Sequence, residues 1–228
     1  VRMADNGPWG LVWEEVGAGR FSLDALRRVV AAVPERVAMQ ADFLRELRKQ
    51  SVDIDTSATF LILQAGAFGG LAVYFDDDGR WSNANKRGDI RTAWQSKDDP
   101  RKRTNTLMPC AAEIVRRMQV LCDMLSGVTV ERGDFATLAG LQGTVYIDPP
   151  YLGTAGYGRR VVPIYDFTDW ARVNPSASVW VSEARPLPGQ SWRMSRPRRQ
   201  GGMRGGSTSA IEEWLTRISF DTETGRPA

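Results

Sequence analysis

Histidine is absent from this 228-residue chain, and cysteine occurs only twice. A chain without histidine cannot form a Ser-His-Asp triad or a Cys-His pair, and it has no histidine general base. A zinc site would lack its usual ligands, because Cys110 and Cys122 stand twelve positions apart and belong to no CxxC pair. We therefore expect reduced thiols, no metal, and a chemistry that depends on carboxylates, backbone groups and a cofactor.

Long apolar runs are also missing. No segment approaches the ~20 apolar residues of a membrane-spanning helix, and the N-terminal residues do not have the pattern of a secretory signal peptide. We expect a cytoplasmic protein that does not bind a membrane. Hydrophobic residues make up 42% of the chain and charged residues 25%, which is ordinary for a globular protein. This length predicts one domain, or one domain with a sizeable insertion.

Positive charge is unevenly distributed, although the net charge is only +3. Three stretches concentrate it, namely KRGDIR at 86–91, RKR at 101–103 and RPRRQGGMRGG at 196–206. Basic patches rich in Gly and Asn are typical of proteins that bind a polyanion, most simply nucleic acid. A solvated basic surface without a partner is the other interpretation, and charge alone does not separate the two.

Hydrophobic periodicity predicts helices in the first half of the chain. We expect an amphipathic helix at 22–33 with Ser22 as its N-cap, a second helix over 35–50, and a buried helix in 55–70. Pro109 is expected to open a further helix, and residues 72–81 have the pattern of a β-hairpin.

Short apolar strands follow at 128–135, 143–151, 177–184 and 191–195. Their alternation with helical stretches predicts an α/β protein with a doubly wound sheet. The apolar residues of the strands at 143–151 and 177–184 are typical of parallel strands covered on both faces. The segment SAIEEWLTRISF near the C-terminus predicts either a short helix or a final edge strand.

The segment GTVYIDPPY at 143–151 ends an apolar strand on an acid and two prolines. Pro150 holds Pro149 in an extended conformation and out of a helical turn. The Asp148 carboxylate and the Pro149 carbonyl are therefore two hydrogen-bond acceptors on a stiff frame, and Tyr151 adds an aromatic face. This combination suits a planar base that carries two N–H donors on one nitrogen, such as the exocyclic amine of a nucleobase.

A second acid, Asp134 in the segment GDF at 133–135, also follows a predicted strand. In open α/β sheets, ligands bind outside the carboxyl ends of the strands. We therefore expect Asp134 and Asp148 to lie on the same rim of the sheet.

These motifs resemble those of the Dam-like adenine-specific DNA methyltransferases, which carry an Asp-Pro-Pro-Tyr motif and methylate the exocyclic amine of adenine from S-adenosylmethionine. The resemblance continues through residues 59–85, similar to a helix that leads into a DNA-reading hairpin, and through GDF, 179–189 and 212–219. It implies a Rossmann-like methyltransferase sheet with an inserted helical and β-hairpin target-recognition region. The catalytic lobe would comprise 1–55 and 109–228, and the insertion 56–108. It also implies a phage or prophage type of enzyme, active in the host cytoplasm on double-stranded DNA.

The resemblance also implies roles for individual residues. The target adenine is flipped out of the duplex, and Asp148 with the Pro149 carbonyl accepts hydrogen bonds from its amine. Pro150 completes the motif and Tyr151 stacks on the base. Cofactor contacts are expected from Asp5, Asp134, Phe135 and Asp148, although Asp5 could instead be a capping or surface residue. Contacts to DNA are expected from five residues of the hairpin region: Arg80, Asn83, Asn85, Lys86 and Arg87.

The family's Gly-rich cofactor motif is not found, and only four residues precede Asp5. The segment VWEEVGAGRFSLDALRR at 12–28 can be interpreted as strand, Gly-x-Gly and helix, but the resemblance favours a helix and a turn there. Gly69 also stands where the family commonly has Asn. Two functions follow: an adenine methyltransferase, or a catalytically incomplete DNA-binding or partner subunit that needs a companion chain for the missing motif. A third hypothesis keeps the enzyme and makes cytosine its base.

Overall fold

The structure is a computed structural model, and it describes residues 2–5, 7–50, 55–67, 73–75, 79–83, 110–133, 135, 138–149, 167–194, 198–199 and 210–218. The chain divides into two compact units. The first consists of Val1–Phe135 with Tyr157–Arg159, and the second of Ala136–Gly156 with Arg160–Ala228.

The first unit is mainly helical in its described part. Its elements in chain order are β1 (Arg2–Asp5), α1 (Pro8–Gly17), α2 (Leu23–Ala31), α3 (Val37–Leu47), α4 (Thr56–Gly66), β2 (Val73–Phe75), β3 (Trp81–Asn83), α5 (Ala111–Leu125) and β4 (Thr129–Arg132). β1 and β4 pair in parallel, with Asp5 opposite Arg132. β2 and β3 form an antiparallel hairpin, as the sequence predicted.

The amphipathic helices that the sequence predicts are present in the structure. Ser22 caps α2, since its hydroxyl accepts a hydrogen bond from the Ala25 amide at 3.1 Å. Leu26 of α2 is fully buried, and Ile114 and Met118 of α5 are buried one turn apart. Each helix therefore turns its predicted apolar face toward the core.

Helix α4 is the centre of this core. Nine of its eleven residues are buried, and six of these belong to one hydrophobic cluster with residues of α1, α2, α3 and α5. A helix that is largely apolar and buried on nearly all sides is expected in such a central position. α4 lies within the insertion predicted for 56–108, and that functional division stays a prediction.

The β2–β3 hairpin is attached to the helices by contacts of both side chains and backbone. Trp81 is 2% exposed and stacks on Phe60 of α4, with 6.3 Å between the ring centroids. The Arg48 guanidinium donates a hydrogen bond to the Trp81 carbonyl at 2.9 Å. The Val73 amide donates to the Gln64 side-chain oxygen at 2.8 Å. These contacts position the hairpin on the helical core.

The second unit is built on a four-stranded mixed sheet. Its described elements are β5 (Gly143–Ile147), α6 (Phe167–Arg172), β6 (Ala177–Glu183), β7 (Gln190–Arg193), β8 (Arg198–Arg199), β9 (Ala210–Ile211) and β10 (Trp214–Ile218). The strand order is β5-β6-β10-β7, and β8 pairs separately with β9. β5 and β6 are parallel, while β10 is antiparallel to both of its neighbours.

The C-terminal segment forms a strand and not a helix, but the predicted edge position is wrong. β10 lies between β6 and β7, where it forms ladders on both sides. Thr216 at its centre is fully buried, and its hydroxyl lies 2.8 Å from that of Ser191 on β7. Both edges of β10 are hydrogen-bonded and its middle is buried, so the segment is extended and central.

One face of the β5–β6 pair is buried, and the opposite face is exposed along β5. Ile147, Val179 and Val181 are buried on the first face, whereas Tyr146 on the opposite face is 60% exposed. The prediction that these strands are covered on both faces is therefore wrong for β5. Its apolar residues alternate with exposed ones, which is the pattern of a half-buried strand.

A buried amide side chain ties the start of β5 to helix α6. Asn174 is fully buried just after α6, and its side-chain oxygen accepts a hydrogen bond from the Leu141 amide at 2.9 Å. Its side-chain nitrogen donates to the Trp170 carbonyl at 3.0 Å. The Trp170 indole donates to the Leu138 carbonyl at 2.9 Å. These bonds fix the segment that leads into β5, and hence where β5 begins.

The predicted α/β fold class is confirmed, since the protein contains helices together with the parallel β1–β4 pair and the mixed sheet β5-β6-β10-β7. None of the helices in the described ranges is both long and apolar enough to cross a lipid bilayer.

Candidate functional site

The acid of the Asp-Pro-Pro-Tyr motif directly follows β5. Asp148 is exposed, and its Oδ1 accepts a hydrogen bond from the Ser182 hydroxyl at 3.0 Å. Ser182 is 3% exposed near the end of β6. Because β5 and β6 run in parallel, their carboxyl ends meet at one edge of the sheet. The bond therefore joins two strand ends at the edge where α/β sheets bind ligands.

Pro149 continues this edge as a half-buried residue. A proline has no N–H to donate to a ladder, so β5 ends at Ile147 and the next backbone groups leave the sheet. The described part of the site thus contains the two acceptors that the sequence predicted, a carboxylate and the carbonyl after it. Pro150 and Tyr151 lie outside the described residues, and their roles stay predictions.

Glu183 completes the end of β6 beside Ser182. It is fully buried, and its Oε1 accepts a hydrogen bond from the Ala184 amide at 2.7 Å. This contact holds the turn that follows the strand. Neither Ser182 nor Glu183 is among the site residues predicted from the sequence. The available signal was a pair of polar residues, Ser182 and Glu183, at the end of an apolar strand.

Asp5 ends β1, and its carboxylate contacts the start of α1. Its Oδ1 accepts hydrogen bonds from the amides of Gly7 at 2.6 Å and Gly10 at 3.1 Å. A carboxylate at a helix N-terminus satisfies free amides and interacts favourably with the helix dipole. Asp5 therefore has the capping role that the sequence offered as the alternative to a cofactor contact. The cofactor contact through Asp5 stays a prediction, and no donor among the described residues reaches its Oδ2.

Asp5→Ala is expected to lower the free energy of unfolding by about 1 kcal/mol, because the Gly7 amide loses its acceptor and the Gly10 amide keeps only the Gly7 carbonyl. Asp5→Asn keeps an acceptor oxygen and should remain within about 0.5 kcal/mol of the wild type. Urea unfolding of both variants measures the difference. Equal stability of all three proteins would show that the cap contributes nothing. If the Asn variant is fully stable but binds S-adenosylmethionine more weakly, the predicted cofactor contact of Asp5 is supported instead.

The Gly-x-Gly segment is a helix end and a turn. Gly17 is the last residue of α1, and a Cβ there would lie 2.1 Å from the Val128 carbonyl oxygen. Gly19 has a φ of +66°, which suits a turn after a helix. Gly17 therefore permits close backbone packing. The cofactor-loop interpretation of this segment is wrong, and the helix-and-turn interpretation is confirmed.

The predicted DNA contacts lie on or after the β2–β3 hairpin. Arg80 is exposed just before β3, and the backbone of Asn83 pairs with Val73. Asn85, Lys86 and Arg87 lie outside the described residues, so the predicted DNA-reading group stays a prediction.

The remaining predicted cofactor residues are adjacent in sequence. Phe135 is half-buried, whereas Asp134 lies outside the described residues. The rim that Asp134 was predicted to share with Asp148 stays a prediction for the same reason.

The two cysteines are free thiols. Cys110 is exposed and Cys122 is half-buried. Burial, and to a lesser degree the nearby Asp123, raises the pKa of the Cys122 thiol. Since the thiolate is the nucleophilic form, this environment disfavours a nucleophilic role for Cys122.

Comparisons with known proteins do not assign this site. No model of a known protein family matches the chain, and no curated protein sequence matches it significantly. The candidate site is therefore defined by the chain's own residues and contacts.

Proposed function

We propose that this protein is a DNA methyltransferase that transfers a methyl group from S-adenosylmethionine to the exocyclic amine of adenine in duplex DNA. One observation carries the proposal. The Asp148 carboxylate stands exposed at the carboxyl end of a parallel strand, directly before Pro149, and the Ser182 hydroxyl holds one of its oxygens. The resemblance of the sequence to Dam-like enzymes adds the reaction type and the base.

The chemistry follows from the two acceptors. The lone pair of an adenine amine is conjugated with the ring, so the free base is a weak nucleophile. Asp148 and the Pro149 carbonyl can accept hydrogen bonds from the two N–H groups and draw the nitrogen toward a tetrahedral geometry. When bound, the cofactor supplies an electrophilic methyl group on a positively charged sulfur. Asp148 and the Pro149 carbonyl would hold the amine nitrogen toward that methyl group; methyl transfer would leave S-adenosylhomocysteine, and the amine would lose one N–H proton to solvent.

Binding of the cofactor is proposed for Asp5, Asp134, Phe135 and Asp148. The donor set fits at Asp5, where Oδ1 caps α1 while no described donor reaches Oδ2, so a ribose hydroxyl has an acceptor there. A half-buried aromatic ring at Phe135 suits a planar adenine.

The strand arrangement is compatible with a Rossmann-like methyltransferase sheet, which we propose for the catalytic lobe. β5 and β6 are parallel, and α6 lies between them in the chain. Such a crossover connection is required between neighbouring parallel strands. The target-recognition role of the 56–108 region, and of Arg80 within it, belongs to the same proposal.

The test is transfer of labelled methyl groups from S-adenosylmethionine to unmethylated duplex DNA, followed by digestion to nucleosides. We expect the label in N6-methyladenine. Label in N4-methylcytosine would keep the enzyme and overturn the choice of base. No label with a folded protein would overturn the autonomous enzyme.

The second candidate is a catalytically incomplete DNA-binding or partner subunit that depends on a companion chain. The engagement of Asp5 in capping α1 favours it, because that carboxylate is partly used inside the protein. Fluorescence anisotropy with labelled duplex DNA separates the candidates. DNA binding without methyl transfer supports this one.

A further inference from the structure

An exposed carboxylate can rotate about two side-chain torsions, and a mobile acceptor positions a substrate poorly. Asp148 is such a residue by its exposure. Its Oδ1 nevertheless accepts a hydrogen bond at 3.0 Å from Ser182, which is 34 positions away in sequence. Within the described part of the chain, this hydroxyl is the one donor to Asp148.

The donor itself is rigidly placed. Ser182 is 3% exposed and stands opposite Leu215 in the β6–β10 ladder. The following residue, Glu183, is fully buried and bonds the Ala184 amide. The strand pairing on one side and the anchored turn on the other therefore fix the position of the Ser182 hydroxyl. A hydroxyl in a fixed position can orient the Asp148 carboxylate that it contacts.

We propose that Ser182 is a positioning residue for the reaction. Its hydroxyl donates a hydrogen bond to Oδ1 of Asp148 and holds this carboxylate in one orientation. Oδ2 and the Pro149 carbonyl can then accept hydrogen bonds from the substrate amine. Ser182 does not contact the substrate in this arrangement and acts through Asp148. The inference rests on the proposed methyl transfer to an exocyclic amine.

The effect should appear in the chemical step. A displacement of about 1 Å in a catalytic group lowers rates by up to about 100-fold. Ser182→Ala is therefore expected to lower kcat by about 10- to 100-fold and to change the KM for DNA by less than about 2-fold, since a group that acts only in the transition state leaves ground-state binding unchanged. Ser182→Thr retains a hydroxyl and should recover most of the activity.

Ser191→Ala is the matched control. Ser191 is a serine of the same sheet whose hydroxyl contacts Thr216 and the Leu187 carbonyl. It bonds neighbouring strands and not Asp148, so its loss should change stability and leave kcat within about 2-fold of the wild type. Thermal unfolding of every variant shows whether a lost activity reflects a lost fold.

The inference is overturned if Ser182→Ala has the kcat of the wild type, or if Ser191→Ala lowers kcat as much as Ser182→Ala does. Neither result affects the proposal that the protein is a methyltransferase. Crystal structures of the wild type and Ser182→Ala give a readout that needs no activity. We expect the Asp148 carboxylate in one orientation in the wild type, and rotated or in several orientations in the variant. The same single orientation in both would overturn the positioning role, even if the wild type transferred no methyl group.

Discussion

Asp148→Ala is expected to lower methyl transfer by at least about 100-fold, the loss found when a preorganised group is removed from a developing charge. The amine becomes positively charged as it attacks, and Asp148 is the anionic acceptor at the described strand edge. Because the side chain is exposed, the variant should unfold within about 1 kcal/mol of the wild type. Single-turnover transfer of labelled methyl to duplex DNA measures the loss.

Two further variants isolate the charge of Asp148. Asp148→Asn keeps the volume and one acceptor oxygen, so a large loss there shows that the negative charge is required. Asp169→Ala removes another aspartate of the same unit, which is 63% exposed and paired with Arg172 on α6. It should transfer methyl groups at the wild-type rate. Wild-type activity in Asp148→Ala would remove the central residue from the proposed mechanism.

Phe60→Ala is expected to destabilise the first unit by about 3–5 kcal/mol, the usual loss for truncation of a buried phenylalanine. Phe60 is 1% exposed at the centre of α4. Its ring meets Trp9 edge-on at 5.0 Å and stacks on Trp81 at 6.3 Å. Removal leaves a cavity among large aromatic side chains that cannot close without moving α1 or the hairpin.

Urea unfolding followed by tryptophan fluorescence measures this effect. Met124→Ala is the control, because Met124 is a large apolar residue of α5 that is 72% exposed. It should change the free energy of unfolding by no more than about 0.5 kcal/mol. A loss below about 1 kcal/mol for Phe60→Ala would contradict the central position of α4. DNA binding should also weaken if the hairpin that carries Arg80 reads DNA, since Trp81 loses its stacking partner.

The features predicted correctly from sequence depend on short-range rules. Ser22 caps α2 because its hydroxyl reaches an amide three residues ahead. β5 ends before Asp148 because the prolines that follow cannot continue a ladder. The absence of histidine excludes histidine catalysis whatever the fold. The predictions of α2, α5, the hairpin and the position of Asp148 after a strand needed only such local information.

The other features arise from contacts between distant segments. The sequence of β10 is compatible with a helix or an edge strand, and its pairing with β6 and β7 on both sides makes it a central strand. In the sequence, Gly17 resembles part of a cofactor loop. In the structure, the Val128 carbonyl lies against it, so the glycine is needed for close packing. Asp148 was chosen from its own motif, but Ser182 became part of the site only when β6 aligned beside β5. Local preferences decide where an element begins and ends, whereas hydrogen bonding and burial between elements decide which side chains meet.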